Sequence, residues 1–260
     1  MGRSIKMNTN GYFIWIVYEK CGSFAGMETL IRINKRMAEL GMCSRREADA
    51  LLAEGIVKVN GKIAKIGQSV SESDEITIGR NISHNKVYLA YYKGRGIISH
   101  SPDTSEVDIS TRLMKDYGLT GVYPIGRLDK DSEGLMILTN DGRITAPLLD
   151  SKNKIEKEYE VTVDKPVSNR LLKSMAAGVN IEGYLTKEAN TKQKSLHSFY
   201  LTLTEGKKHQ IRRMCAALGY QVESLKRIRI AHVELDKLKP NQYRKLNKEE
   251  TAKLIGMIKV

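Results

Sequence analysis

Ile125-Gly126-Arg127-Leu128-Asp129-Lys130-Asp131-Ser132-Glu133-Gly134-Leu135-Met136-Ile137-Leu138-Thr139-Asn140-Asp141-Gly142 is the stretch on which this chain turns. Its first half is polar and rich in turn formers. Its second half opens with the continuous apolar run 135–138, the mark of a buried strand. An acidic residue that follows an arginine just before such a strand is held on a rigid edge beside a positive charge. That setting suits a catalytic carboxylate better than a solvated one. The residues alone also permit a structural Arg127–Asp129 ion pair or an exposed Asp-Lys-Asp turn.

Around this stretch lie 260 residues with 43 Lys and Arg against 30 Asp and Glu, a formal net charge of +13. The surplus points to a polyanion, either nucleic acid or an acidic membrane surface, with a solvated basic surface as the plain alternative. Cys21, Cys43 and Cys215 stand far apart, with neither metal-ligand spacing nor a paired framework, which fits a reducing cytoplasm. The five histidines are equally scattered, so no metal is expected. Tyr12-Phe-Ile-Trp-Ile-Val-Tyr18, preceded by Arg3 and Lys6, imitates a secretion signal, but seven apolar residues are too few to span a bilayer. Residues 1–29 are expected to be a disordered extension, with Met27 as an alternative start.

Residues 30–78 form a small first domain on this reading. Ile33, Met37 and Leu40 fall at helical spacing before Gly41, and Ala48, Leu51 and Leu52 give a second apolar stripe before Gly55. Ser44-Arg45-Arg46-Glu47 has the form of a capping box. Val57-Lys-Val59-Asn60-Gly61-Lys-Ile63 is a hairpin, because Asn-Gly accepts the left-handed angles of a two-residue turn. Arg32, Lys35, Arg36, Arg45 and Arg46 crowd these helices against Glu39 alone. Gathered on one face they would grip phosphates; an ordinary charged helix surface is the alternative. A polar linker is expected at 79–85, followed by a second domain over 86–260.

Within that domain, Val87-Tyr-Leu-Ala-Tyr-Tyr92 has strand composition and leads into Lys93-Gly94-Arg95-Gly96. Lys157-Glu-Tyr159-Glu-Val-Thr-Val163 alternates as a half-buried strand, where a tyrosine ordinarily packs. After a strand ending in Glu205-Gly206, a helix carries Arg212 and Arg213, with Lys207 and Lys208 near its start. Backbone amides there also favour anions, although a solvated basic helix face is the default. The run 222–230 is an apolar strand bearing Lys226, Arg227 and Arg229, and residues 248–257 read as a final helix. Residues 206–232 hold seven Lys or Arg against one acidic residue, a cluster suited to an approaching polyanion.

Taken together, these segments resemble the RsuA/RluB/RluE/RluF family of pseudouridine synthases over most of residues 31–250. The Gly-Arg-Leu-Asp of that family carries its essential aspartate, which the resemblance transfers to Asp129. It likewise implies that Tyr159, in Lys-Glu-Tyr, lies against the target base and that Arg212 pairs with the catalytic carboxylate. Leu225 would pack beneath the base, with Arg127 and Leu128 completing the pocket. Lys93, Lys207, Lys208, Arg213, Lys226, Arg227 and Arg229 are expected to contact RNA. His209 is read as structural or RNA-facing. Gly94 departs from the family pattern, in which a Lys-Pro-x-Gly turn has proline at this position. Residues 242–246 resemble the closing strand, and 31–78 resembles the S4-type RNA-binding domain, in which Cys-Ser-Arg-Arg-Glu-Ala opens the second helix. The fold implied is α+β, a small S4-type (alpha-L) domain followed by a mixed, largely antiparallel sheet flanked by helices.

The implied reaction converts a uridine of ribosomal RNA to pseudouridine without metal or cofactor. The bond from ribose to ring nitrogen 1 breaks, the base turns, and ring carbon 5 is joined to the sugar. One carboxylate can serve by attacking the sugar or by removing a sugar proton. The segments ending at Cys215 and Arg229 look closest to the RluF type, which acts on 23S RNA; 16S RNA or tRNA is the alternative target. A cytoplasmic monomer without membrane contact is expected. The rivals are a non-catalytic RNA-binding assembly protein and an RNA-cleaving enzyme, the latter lacking its usual histidine pair or carboxylate cluster.

Overall fold

The computed structural model describes residues 2–7, 13–18, 30–79, 85–100 and 106–258. Gly2–Met7 and Phe13–Tyr18 pair as an antiparallel ribbon, although both fall within the extension expected to be disordered. A run rich in β-branched and aromatic residues satisfies its backbone by pairing. The rest of 1–29, and 80–84 of the expected linker, lie outside the described residues.

The chain divides into two compact units. One runs to Lys86 and takes in Asn140–Ile144; the other comprises Val87–Thr139 and Thr145–Met257. Asn140–Ile144 was expected with the second domain. It joins the first because Gly142 lies against the Ala38 backbone and Ile144 is fully buried. In this unit, helices Ile33–Glu39 and Arg45–Ala53 enclose a core of Ile33, Met37, Ala48, Leu51, Val57 and Val70. Ser44 accepts from the Glu47 amide at 3.2 Å, and the Glu47 carboxylate accepts from the Ser44 amide at 3.4 Å. The capping box is thus closed at both ends. Strands Val57–Val59 and Lys62–Ile63 meet across Asn60 and Gly61, both at positive φ, as the hairpin reading requires.

The second unit is built on a nine-stranded mixed sheet. Its main path runs Asn190–Gln193, Ser198–Leu203, Lys157–Val163, Val222–Ile230, Glu133–Thr139, Tyr88–Lys93 and Tyr243–Lys245. All neighbours are antiparallel except Glu133–Thr139 and Val222–Ile230, which run parallel. Short strands Tyr123–Ile125 and Val233–Glu234 pair off the path. Lys157–Val163 alternates so that Tyr159, Val161 and Val163 are buried among Phe199, Leu201, Met214 and Leu225. The parallel contact depends on Gly134, whose φ is +113 and where a Cβ would collide with the Arg227 backbone. Only glycine allows the loop carrying Asp129 to enter the sheet so close to Arg227.

Candidate active site

Asp129 sits in the connection 126–132 between Tyr123–Ile125 and Glu133–Thr139. Two devices fix this connection. The Ser99 hydroxyl accepts from the Leu128 amide at 2.8 Å and lies 2.9 Å from the Leu128 carbonyl, to which it donates. Lys93, fully buried, donates to the carbonyls of Ile97 at 2.6 Å, Ser132 at 2.7 Å and Gly94 at 3.1 Å. Burial pulls its amine down to about 8 and Arg227 acts in the same direction, opposed by the Asp129 carboxylate. Lys93 is therefore not an RNA contact, as expected from sequence, but an internal tie between two loops. Gly94 also has a reason: its amide donates to Asn241 Oδ1 at 3.1 Å, a bond that proline could not make.

The Asp129 side chain is 39% exposed and opens into a cleft of about 700 Å³. The sheet contributes Tyr159, Leu225, Arg227 and Lys157 to its lining, and the turn contributes Arg127 and Leu128. Tyr159 and Arg227 are cross-strand partners, as are Val161 and Leu225, so period-two alternation turns all three cleft residues to one face. Arg127 is exposed and Leu128 buried. Lys207, Lys208 and His209 line the cleft from the segment before helix Gln210–Ala217, and all three are exposed.

Arg212 is not the partner of Asp129. Its guanidinium donates to Val222 O at 3.1 Å and Asp131 O at 3.4 Å, and it is absent from the cleft lining. The nitrogen beside the carboxylate belongs instead to His209, whose Nε2 lies 3.4 Å from Asp129 Oδ1. The backbone explains the exchange. His209 adopts the left-handed conformation, φ 51 and ψ 29, as the residue preceding the helix, while Arg212 lies most of a turn further on. Besides that of the exposed Arg127, the guanidinium that shares the cleft with Asp129 is the buried Arg227. It is 4% exposed and donates to Leu135 O at 2.7 Å and to the Met136 sulfur at 2.7 Å. Arg227 too is therefore too deep to be a surface RNA contact. Among the described residues it has no carboxylate ion pair.

Sequence reasoning also passed over Lys157, Glu205 and Gln210 of the cleft lining. Lys157 was legible, since it precedes Tyr159 by two on the same strand face. Burial lowers its amine pKa and the neighbouring Arg227 adds to the effect. Glu205 is buried and accepts from Tyr184 Oη at 2.6 Å, Gln210 Nε2 at 2.7 Å and the Lys187 amide at 3.1 Å. Burial alone would raise its pKa, but these hydrogen bonds outweigh it and hold the carboxyl below its usual range. The bonds from Tyr184 and Lys187 join elements 21 and 18 residues away, which no local pattern announces. The Lys207 amide donates to Gln210 Oε1 at 2.8 Å, and its ammonium lies 4.6 Å from the Tyr184 ring centre. The other expected RNA contacts differ in availability. Arg213 pairs with Glu182 at 2.7 Å, and Arg229 with Glu158 at 2.8 Å and Glu156 at 3.0 Å, whereas Lys226 is half-buried.

In the first unit, Arg32, Lys35 and Arg45 are exposed, with Lys35 3.6 Å from Glu39. Arg36 is half-buried and donates to Glu72 O at 3.1 Å. The Arg46 side chain lies outside what is described.

A mixed sheet that brings a half-exposed aspartate, a buried phenol and exposed cations to a single cleft fits an enzyme acting on a nucleotide within RNA. Residues 87–217 match the family model for RNA pseudouridylate synthase, and residues 31–76 match that for the S4 domain. The chain is 39% identical over 236 residues to the dual-specificity RNA pseudouridine synthase RluF of Escherichia coli K12, covering 89% of this chain and 80% of that one. It is 37% identical over 232 residues to ribosomal large subunit pseudouridine synthase B of Bacillus subtilis, covering 86% and 95%. A pseudouridylate synthase crystal structure superimposes with a TM-score of 0.65 at 32% identity, covering 86% of this chain and 99% of the other. The chain belongs to the RNA pseudouridylate synthase family and carries an S4 domain ahead of its catalytic domain. It is an RNA pseudouridine synthase, and its α+β fold is the one expected. Among the described residues, no helix is long and apolar enough to cross a membrane.

Proposed function

We propose that Asp129 acts on the ribose of a uridine turned out of 23S ribosomal RNA and held in this cleft. The observation that carries the assignment is a half-exposed carboxylate opening into the same cleft as Tyr159 and Leu225. In this reading Leu225 forms an apolar floor and Tyr159 a platform on which the detached uracil rotates without escaping. Arg227, buried and with no carboxylate ion pair among the described residues, supplies positive potential to the cleft that Asp129 enters. His209 stands beside Oδ1 and leaves the other oxygen for the sugar. Lys207, Lys208 and Arg127 meet the phosphates around the extruded nucleotide. The names of the RluF and B-type relatives favour the large-subunit RNA, and the cytoplasm is where such a substrate is met.

The test is carbodiimide mapping of pseudouridine in ribosomal RNA from a deletion strain and its parent. Loss of one or more 23S sites, restored by the wild-type chain and not by Asp129→Asn, is the expected result. Loss of a tRNA or 16S site instead would move the substrate. Restoration by Asp129→Asn would remove Asp129 from the chemistry and favour a non-catalytic assembly role.

A further inference from the structure

Extruding a stacked uridine leaves a gap between its neighbours, and an enzyme that extrudes it must offset the lost stacking. One side chain at the cleft is placed for this and has no other evident use. Leu149 ends the short helix Thr145–Leu149. Leu148 and Leu149 both line the cleft, but Leu148 is buried and anchors the helix, whereas Leu149 stays 46% exposed. Its Cδ2 reaches the Gly126–Asp129 turn so closely that a Cβ at Gly126 would stand 3.0 Å away.

The segment behind it is tied down. Asp150 accepts from the Lys152 amide at 2.9 Å, and Asn153 donates to Pro147 O at 3.0 Å. Leu149 is thus a large apolar group on a fixed lip, with the exposed cations Arg127, Lys207 and Lys208 lining the same cleft. An apolar peptide would find the wrong electrostatics there. A nucleobase fits, because it brings an apolar face and phosphates together.

We propose that Leu149 is an apolar wedge that packs on the face of the base flanking the extruded uridine and so holds the RNA open during turnover. The inference rests on the cleft being the uridine site, and the experiment separates the two. Leu149→Ser and Leu149→Met are compared with wild type in single-turnover reactions on two transcripts of the 23S hairpin that mapping identifies. In one the target uridine is stacked as in the native hairpin; in the other it faces an abasic site and is already loose. A 2-aminopurine beside the target reports unstacking.

Leu149→Ser should lose at least tenfold on the stacked RNA, with loss of the fluorescence rise, and less than threefold on the loosened RNA. Leu149→Met should recover most of the rate. Equal loss on both substrates would mark Leu149 as merely structural, and no loss on either would leave it without a role; both overturn the wedge. Failure of the wild-type enzyme on both RNAs would overturn the uridine reading itself, and the wedge with it. Thermal melting of Leu149→Ser should match wild type, since the side chain is half-exposed.

Discussion

Arg227 and Lys157 place two cations close together on the cleft side of the sheet, and such a pair repels unless an anion is near. Both share the cleft lining with the Asp129 carboxylate, and Arg227 is held to the sheet by its donation to Leu135 O. Arg227→Lys should therefore cut kcat on the order of a hundredfold while RNA affinity stays within about threefold, as for loss of one electrostatic stabiliser. A gel-shift titration beside single-turnover rates separates these readings; weakened binding with intact kcat would restore Arg227 as a phosphate contact. His209→Ala should slow turnover by roughly tenfold with little effect on KM, since it frees one aspartate oxygen that Arg212 does not hold. At this scale the meeting of Asp129 and Tyr159 in one cleft was legible, because Gly-Arg-Leu-Asp and the alternation of 157–163 are local patterns. Its cationic neighbours were not. Whether residue 209 or 212 meets Asp129 depends on the left-handed backbone at His209, and nothing in Lys-Lys-His-Gln marks that turn.

Lys93 shows the same limit at the scale of elements. Its strand was evident from composition, but its amine finds Ile97 and Ser132 carbonyls, and the second of these is 39 residues away. The capping box at Ser44 and the Asn60-Gly61 hairpin were legible because each closes within a few residues. The parallel pairing of Glu133–Thr139 with Val222–Ile230 was not, since it rests on a long-range approach at Gly134. Lys93→Met would leave two strong acceptors unpaired and loosen the Asp129 turn. A stability loss of roughly 1–3 kcal/mol at pH 7 is expected, together with a lower kcat. The pH dependence is distinctive. The folded-state amine titrates near 8, below its ordinary 10.5, so between these values the unfolded chain binds more protons and wild-type stability gains as pH rises. The gap in denaturation free energy between wild type and Lys93→Met should widen from pH 8 to 10, by at most on the order of 3 kcal/mol. A gap that narrows would mean that the amine is not depressed by burial.

Over the whole molecule, the surplus of +13 is not uniformly available to a substrate. Arg213, Arg229 and Arg244 are engaged by carboxylates, and Lys93 and Arg227 are internal. Arg32 and Arg45 in the first unit, and Lys207 and Lys208 in the second, are exposed and form no ion pair among the described residues. Counting charge from composition therefore overstates the number of phosphates that this enzyme can neutralise. Each true contact releases counterions, and the salt slope falls by about 0.7 for each one lost on single-stranded RNA. Arg32→Ala with Arg45→Ala should lower affinity and flatten the slope by about 1–1.5, leaving kcat at saturating RNA unchanged. Lys207→Ala with Lys208→Ala should flatten it similarly, but also raise KM for short RNAs that the S4 unit cannot grip. If the two pairs act on separate stretches of one RNA, their effects on binding free energy add in the quadruple variant. Fluorescence anisotropy across a salt series measures this directly. An unchanged slope in the first pair would remove the S4 face from substrate binding and leave the cleft rim to carry recognition alone.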